Sequence, residues 1–233
     1  MSFLGILIPV AILGLIVWAV VGFTRRGGEP FTLATATALY ARVALIGGVL
    51  MSLIGVGTII KVGFGFINVA YSYYQQYAYA NGAYPGPVCK GVDPASCPPV
   101  APLVTQNSFY EQQRGQDLVL GITLLVIGVV VVVGHLYLAR AVARMAGGSP
   151  AWVARGTQLA LTVMTAIVGI PSAAFGLYGM LSYFIVGTSQ QNQQPWGESL
   201  GLAIAFVPAW IYFMLRLVQD LRRPHVGATS QVP

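Results

Sequence analysis

The chain has 233 residues, of which 56% are hydrophobic and only 8% are charged, and its mean hydropathy is +0.74. This composition excludes a soluble globular protein, because it leaves too little polar surface to face water. The formal charge of +6 comes mainly from arginines between apolar segments, so anionic lipid headgroups account for it and no nucleic-acid partner is needed.

Five apolar segments are long enough to cross a bilayer as helices, which takes about 20 residues each. They cover residues 4–23, 43–70, 118–139, 156–186 and 200–217. Their continuous apolar runs differ from the alternating pattern of a β-barrel, and helices satisfy their own backbone hydrogen bonds in lipid. The sequence therefore predicts an all-α membrane protein with five transmembrane helices.

The first span reads as a retained anchor and not as a secretion signal. No basic residue precedes its apolar run, and no small-x-small cleavage site precedes Arg25. Residues 1–30 are thus predicted to form an N-terminal anchor and linker, a separate packing element. Residues 31–223 are predicted to form a four-helix bundle in the membrane, and residues 224–233 a tail.

The arginines predict the orientation of the chain, since cytoplasmic loops carry an excess of positive charge. They lie between the first and second spans, between the third and fourth, and at the end of the fifth: Arg25, Arg26, Arg42, Arg140, Arg144, Arg155, Arg216, Arg222 and Arg223. The opposite side receives only Lys90 and Arg114. We expect the N-terminus outside, the C-terminus and tail in the cytoplasm, and a multi-pass protein of the bacterial cytoplasmic membrane.

The last four spans are compatible with two tandem two-helix units. In each unit the first helix begins with an Ala-Arg pair, Ala41-Arg42 or Ala154-Arg155, and an acidic residue, Asp117 or Glu198, precedes the second helix. Either the chain contains a duplication, or the similarity has a general cause. Arginine is common at the cytoplasmic ends of membrane helices, and an acidic residue at a helix N-terminus is stabilised by the helix dipole. Residues 38–223 resemble uncharacterised bacterial four-helix membrane-domain families, a resemblance that implies a fold and carries no catalytic residues.

Small residues recur at four-residue spacing on three of the helices. Such rows allow close helix packing in lipid, although they also arise from the ordinary composition of membrane helices. They are Ala44, Gly48 and Ser52; Thr165, Gly169 and Ala173; and Gly197, Gly201, Ala205 and Ala209. We expect a close helix crossing at the last row, which is the most regular.

The segment 71–116 is the only sizeable polar region, and we expect it to be an extracytoplasmic loop. It begins with a tyrosine-rich stretch suited to a membrane interface and becomes rich in proline from Pro85 to Pro102. Cys89 and Cys97 lie in that proline-rich part, where the expected compartment permits oxidation. We therefore predict a disulfide between them over free thiols. A thiol-oxidase role is disfavoured, because such an enzyme would need a second cysteine pair that the chain lacks.

Two basic side chains, Lys61 and His135, fall within the cores of the predicted spans, whereas Arg216 lies at the end of the fifth; no carboxylate falls within a span's core. Lys61 either extends to the interface or has a binding role. His135 either forms an interhelical hydrogen bond or ligates a haem iron or a chlorophyll-type pigment, the one cofactor-binding candidate. A carboxylate-based proton relay has no group to use.

No catalytic motif is present, so three functions remain open. We expect a noncatalytic accessory or structural subunit of a larger integral-membrane complex, with respiratory and photosynthetic complexes as candidate classes. Its partners would be membrane lipids and other membrane subunits. The alternatives are a pore or passive carrier for a small neutral solute, suggested by Pro171, Pro208 and the many glycines, and a haem or pigment protein using His135.

Overall fold

A computed structural model describes residues 33–73, 106–145, 151–186 and 195–222. The predicted first span, the disulfide at Cys89 and Cys97, and the tail lie outside these residues. In chain order the helices are α1 (Leu33–Ile67), the single turn α2 (Val69–Ser72), α3 (Gln106–Met145), α4 (Ala151–Leu181) and α5 (Gly197–Arg222). A wider π-helical turn, Ser182–Val186, extends α4.

Four of these helices are long and apolar enough to cross a membrane. They contain the spans Ala36–Ile67, Tyr110–Val142, Val153–Ile185 and Gly197–Arg222. The prediction of an all-α, multi-pass membrane protein is therefore confirmed at this level for the described part of the chain. Pro171 and Pro208 lie inside α4 and α5, which continue past them.

The helices pack in the spatial order α3, α1, α5, α4, each antiparallel to its main neighbour. Helix α1 contacts α3 on one side and α5 on the other, while α4 packs mainly against α5. Most of the contact that α3 makes is therefore with α1. The result is two antiparallel pairs joined through α1 and α5, an arrangement that leaves α3 at one edge.

Glycines bring α1 and α3 into backbone contact. A Cβ at Gly55 would lie 2.6 Å from the Gly121 carbonyl oxygen and 2.6 Å from the Leu125 nitrogen. A Cβ at Gly128 would lie 2.6 Å from the Ser52 nitrogen and 2.7 Å from the Gly48 carbonyl oxygen. Only glycine fits at such a crossing, because the atoms in the way belong to the partner backbone.

A second close crossing joins α5 to α1. A Cβ at Gly201 would lie 2.5 Å from the Gly57 carbonyl oxygen, and one at Gly57 would lie 3.1 Å from the Leu202 Cα. Helices α4 and α5 also meet at backbone distance, since a Cβ at Gly176 would lie 2.7 Å from the Leu200 nitrogen. Backbone contact in this bundle therefore occurs on the two sides of α1 and between α4 and α5.

The three rows of small residues lie at different places in this packing. Gly48 and Ser52 face α3, Gly169 and Gly201 lie at the crossings with α5 and α1, and Gly197 lies against α2. Thr165 and Ala205 are buried, whereas Ala44, Ala173 and Ala209 are only partly buried. Gly55, Gly57, Gly121 and Gly128, which belong to none of the rows, make equally close approaches.

The helices are longer than the predicted spans. Helix α1 begins ten residues before residue 43, and α3 begins at Gln106, twelve residues before residue 118. Residues 106–116, assigned to the outer loop from sequence, are therefore helical. This difference arises because hydropathy reports only the part of a helix that fits the hydrocarbon, and polar turns that extend beyond it resemble a loop.

Candidate functional site

Three charged side chains from three helices meet at one end of the bundle. Lys61 Nζ on α1 lies 3.0 Å from Asp117 Oδ2 on α3 and 3.6 Å from Glu198 Oε2 on α5. The side chains of Lys61 and Asp117 are 15% and 20% exposed, whereas that of Glu198 is 54% exposed. Lys61 therefore pairs with both carboxylates, and Asp117 is the closer and more buried partner. Lys61, Asp117 and Glu198 are called the ionic cluster below.

The depth of this cluster follows from helix length. The 32-residue span of α1 and the 33-residue span of α3 are each about 50 Å long, against about 30 Å of hydrocarbon. A centred span of this length projects about six residues beyond the hydrocarbon at each end. Lys61 lies six residues before the end of its span at Ile67, and Asp117 lies seven residues after Tyr110. In a centred, untilted bundle both charges would thus lie at the hydrocarbon boundary.

The turn α2 folds back over the C-terminal end of α1 and covers the ionic cluster. The Ser72 hydroxyl donates a 2.6 Å hydrogen bond to the Lys61 carbonyl oxygen, eleven residues earlier. A Cβ at Gly65 would lie 2.7 Å from the Tyr73 ring, and one at Gly197 would lie 2.5 Å from Ser72 Oγ. Two glycines therefore make room for this return of the chain.

Tyr73 brings a phenol into the cluster. The Lys61 ammonium lies 5.3 Å from the centroid of its ring, a cation–π distance. Burial first, and then the negative charge of nearby Asp117, raise the pKa of the Tyr73 hydroxyl well above its usual value. The hydroxyl stays protonated at neutral pH. Its approach to Asp117 falls short of hydrogen-bond geometry, and no other described residue accepts its proton.

An aromatic cluster lies beside the ionic cluster at the same end of the bundle. It comprises Phe64, Tyr71, Tyr183, Phe184 and Trp196. The rings of Tyr71 and Trp196 are 4.7 Å apart, and those of Phe64 and Trp196 are 5.2 Å apart. Such rings favour the membrane interface, which agrees with the depth calculated for Lys61. The tyrosine-rich stretch that was predicted to suit the interface comprises Tyr71, Tyr73, Tyr74, Tyr77, Tyr79 and Tyr84. Of these, Tyr71 and Tyr73 are described, and the other four lie outside the described residues.

No family model, curated protein or solved structure matches this chain. The resemblance to four-helix membrane-domain families stays a prediction. Arguments about function therefore begin from the contacts of its own side chains.

His135 lies on α3, near the end opposite the ionic cluster. Its Nδ1 is 2.7 Å from the Val131 carbonyl oxygen, and its ring packs edge-on against Tyr40 of α1, with centroids 5.4 Å apart. Donation from Nδ1 would leave Nε2 as the nitrogen with a free lone pair. Within the described residues, no group of three or more His, Cys, Asp or Glu side chains could hold a metal ion.

Buried hydroxyls on α4 bear on the pore hypothesis. Thr157, Thr162 and Thr165 each donate to the carbonyl oxygen four residues earlier, at 2.7, 2.8 and 2.6 Å. Their donors are thus used within their own helix. These threonines do not supply free donors along a solute path.

The ionic cluster was only partly visible in the sequence. Sequence analysis considered Lys61 either as extending to the interface or as having a binding role, and it placed Asp117 and Glu198 before the starts of helices. It did not bring the three together. It also treated the span of α3 as beginning after Asp117, whereas Asp117 lies inside the helical span. The signal that was missed is one of spacing. Lys61 lies six residues before the end of its span and Asp117 lies seven residues after the start of the next described span, so two antiparallel helices place them at the same level.

Proposed function

We propose that this protein is a noncatalytic accessory or structural subunit of a larger integral-membrane assembly. The observation that carries the proposal is the open face of α3. Only 11% of the most apolar window of α3 is buried, against 28% for α1 and α4. Its exposed large apolar residues are Val119, Leu120, Ile122, Val126, Ile127, Val129, Val130, Val133, Leu136 and Tyr137.

A glycine on this open face favours the interpretation that another protein covers the face, and not lipid alone. Gly134 is exposed, and a Cβ built there would meet no atom within 4 Å. Helices associate in lipid mainly by close backbone packing at small residues, as α1 and α3 do at Gly128. Gly134 offers a similarly bare backbone, one to two turns along the same helix, to a helix from another subunit.

The ionic cluster of Lys61, Asp117 and Glu198 supports a structural role over a proton relay. Lys61 is balanced by Asp117 and Glu198, which tie α1 to its two neighbours. Intramembrane charges that pair in this way hold helices together. A relay would need a series of titrating groups along the membrane normal, and these three lie at one depth.

Purification in a mild detergent tests the proposal. We expect the chain to migrate with a complex much larger than itself on a native gel, and Gly134→Leu to release it as a folded monomer because the bulky side chain blocks close approach. Gly63→Leu is the matched control, since Gly63 also has open space around it but lies on α1. Recovery of the wild-type chain only as a monomer would contradict the proposal, and a coloured monomer would favour the His135 pigment alternative.

The orientation is also a proposal, and arginine placement supports it. Arg42, Arg140, Arg155 and Arg216 lie towards one end of the antiparallel helices, and the ionic cluster lies at the other. By the positive-inside rule the arginine end is cytoplasmic and the ionic cluster faces outward.

Thiol labelling tests both this orientation and the predicted disulfide. In intact cells a membrane-impermeant maleimide is expected to label Cys89 and Cys97 only after treatment with a reductant. The Cys89→Ser/Cys97→Ser double variant provides the blank. Labelling confined to reagents delivered to the cytosol would reverse the orientation, and labelling from outside without reductant would remove the disulfide.

A further inference from the structure

Arg114 on α3 is a cation that lacks a counter-ion among the described residues. Glu111 and Asp117 lie three residues before and after it on the same helix, yet Arg114 forms an ion pair with neither. Its Nε atom is buried and has no hydrogen-bond partner in the described part of the chain. A buried guanidinium nitrogen without an acceptor is costly. Nε itself is out of reach of an outside ligand, but the Arg114 side chain is only partly buried, so the rest of the guanidinium is open to an anion from outside these helices.

The surroundings of Arg114 combine charge with exposed apolar surface. Its Cζ lies 5.0 Å from the centroid of the Phe66 ring, and Phe66 is 66% exposed. Ile67 and Val119 are also exposed nearby, on α1 and α3. Arg114 lies about one turn before Asp117 on α3. In a centred bundle this places Arg114 just outside the hydrocarbon boundary, at the depth of the lipid phosphate groups.

The local charge favours a zwitterionic ligand over an anionic one. Lys61 and Arg114 carry two formal positive charges, and Glu111, Asp117 and Glu198 carry three negative ones, which leaves −1. A ligand with a phosphate and no cation would bring this sum to −2, whereas a phosphate joined to an ammonium leaves it unchanged. Glu111 is exposed one turn beyond Arg114, on the water side, where an ammonium attached to the phosphate would lie.

We propose that Arg114 and Glu111 bind the headgroup of a phospholipid that carries a primary ammonium. The Arg114 guanidinium donates to the phosphate oxygens, and the ammonium donates to the Glu111 carboxylate, both as charge-assisted hydrogen bonds. The acyl chains lie along Phe66 and the upper part of the open face of α3. This site does not require the proposed role as a subunit, since the acyl chains would cover the part of the α3 face next to Arg114 and leave Gly134, twenty residues further along the helix, open to a partner.

Native mass spectrometry of the full chain tests this site directly. The protein is released from nanodiscs that contain equal amounts of phosphatidylethanolamine and phosphatidylglycerol with identical acyl chains. We expect phosphatidylethanolamine adducts to exceed phosphatidylglycerol adducts on the wild type. Arg114→Gln should lower retention of phosphatidylethanolamine about tenfold, the effect expected for loss of one charge-assisted hydrogen bond.

Three comparisons make the outcome decisive. Glu111→Gln should bring the two lipids to similar retention, because it removes the ammonium acceptor and leaves the phosphate donor. Arg114→Lys, which keeps the charge, should retain more lipid than Arg114→Gln, and this rescue excludes misfolding as the cause. Arg140→Gln changes an exposed arginine at the other end of the same helix and should have no effect. Retention by Arg114→Gln at the wild-type level, equal retention of both lipids by the wild type, or displacement by inorganic phosphate would each overturn the proposal.

Discussion

Replacing Gly55 with leucine is expected to separate α1 from α3 and to cause a large loss of stability. The first carbon of the new side chain would already lie 2.6 Å from two backbone atoms of α3, and backbone cannot move aside as a flexible side chain can. Overpacking of this kind costs about 1–3 kcal/mol where the structure adjusts, and more where it does not. The free energy of unfolding in lipid bicelles measures the effect.

Gly63→Leu is the matched control for this prediction. Gly63 lies on the same helix, and no atom lies within 4 Å of a Cβ placed there. We expect its free energy of unfolding to stay near the wild-type value. If Gly55→Leu and Gly63→Leu proved equally stable, the close crossing of α1 and α3 would be wrong.

Replacing Lys61 with methionine is expected to have the second large effect, through the ionic cluster. Asp117 would keep its charge at the hydrocarbon boundary and lose the ammonium 3.0 Å away. Removing one partner of a fully buried pair costs about 3–5 kcal/mol, and because Asp117 is 20% exposed we expect a smaller loss, about 1–3 kcal/mol. Glu198→Gln should cost less than about 1 kcal/mol, since Glu198 is 54% exposed.

A double-mutant cycle isolates the pair. The variant Lys61→Met/Asp117→Asn leaves no unpaired charge between these two positions, so it should be more stable than the sum of the two single losses predicts. The matched comparison is Lys61→Met with Asp220→Asn, because Asp220 lies near the other end of α5 and far from Lys61. Losses that simply add in both cycles would show that Lys61 and Asp117 do not interact.

Sequence reasoning reached the class of fold but placed the helix ends less well. The runs at 43–70 and 118–139 contain the apolar centres of α1 and α3, and length and hydropathy are sufficient to recognise them. Gln106 to Gln116 is polar and follows a proline-rich stretch, so the same criteria assigned it to a loop. These residues are helical because they continue the apolar part of α3. A hydropathy average over a polar segment does not register that a helix follows it.

The candidate site was harder to predict than the fold. Rows of small residues at four-residue spacing included Gly48 and Gly201 but omitted Gly55 and Gly128, because spacing within one helix does not specify which face meets a neighbour. In the same way, Arg114 appeared only as a charge on the outer side. Its position against Phe66 depends on how far α3 slides along α1, which no local pattern contains.

The sequence by itself determined that the described part of this protein consists of apolar helices able to cross a membrane, because apolar length and backbone hydrogen bonding are properties of each segment alone. Tertiary structure decided which helices touch, where Lys61 finds Asp117, and which side of α3 stays open. Those outcomes depend on the register and rotation of one helix against another, and in lipid these are set by backbone approach at particular glycines.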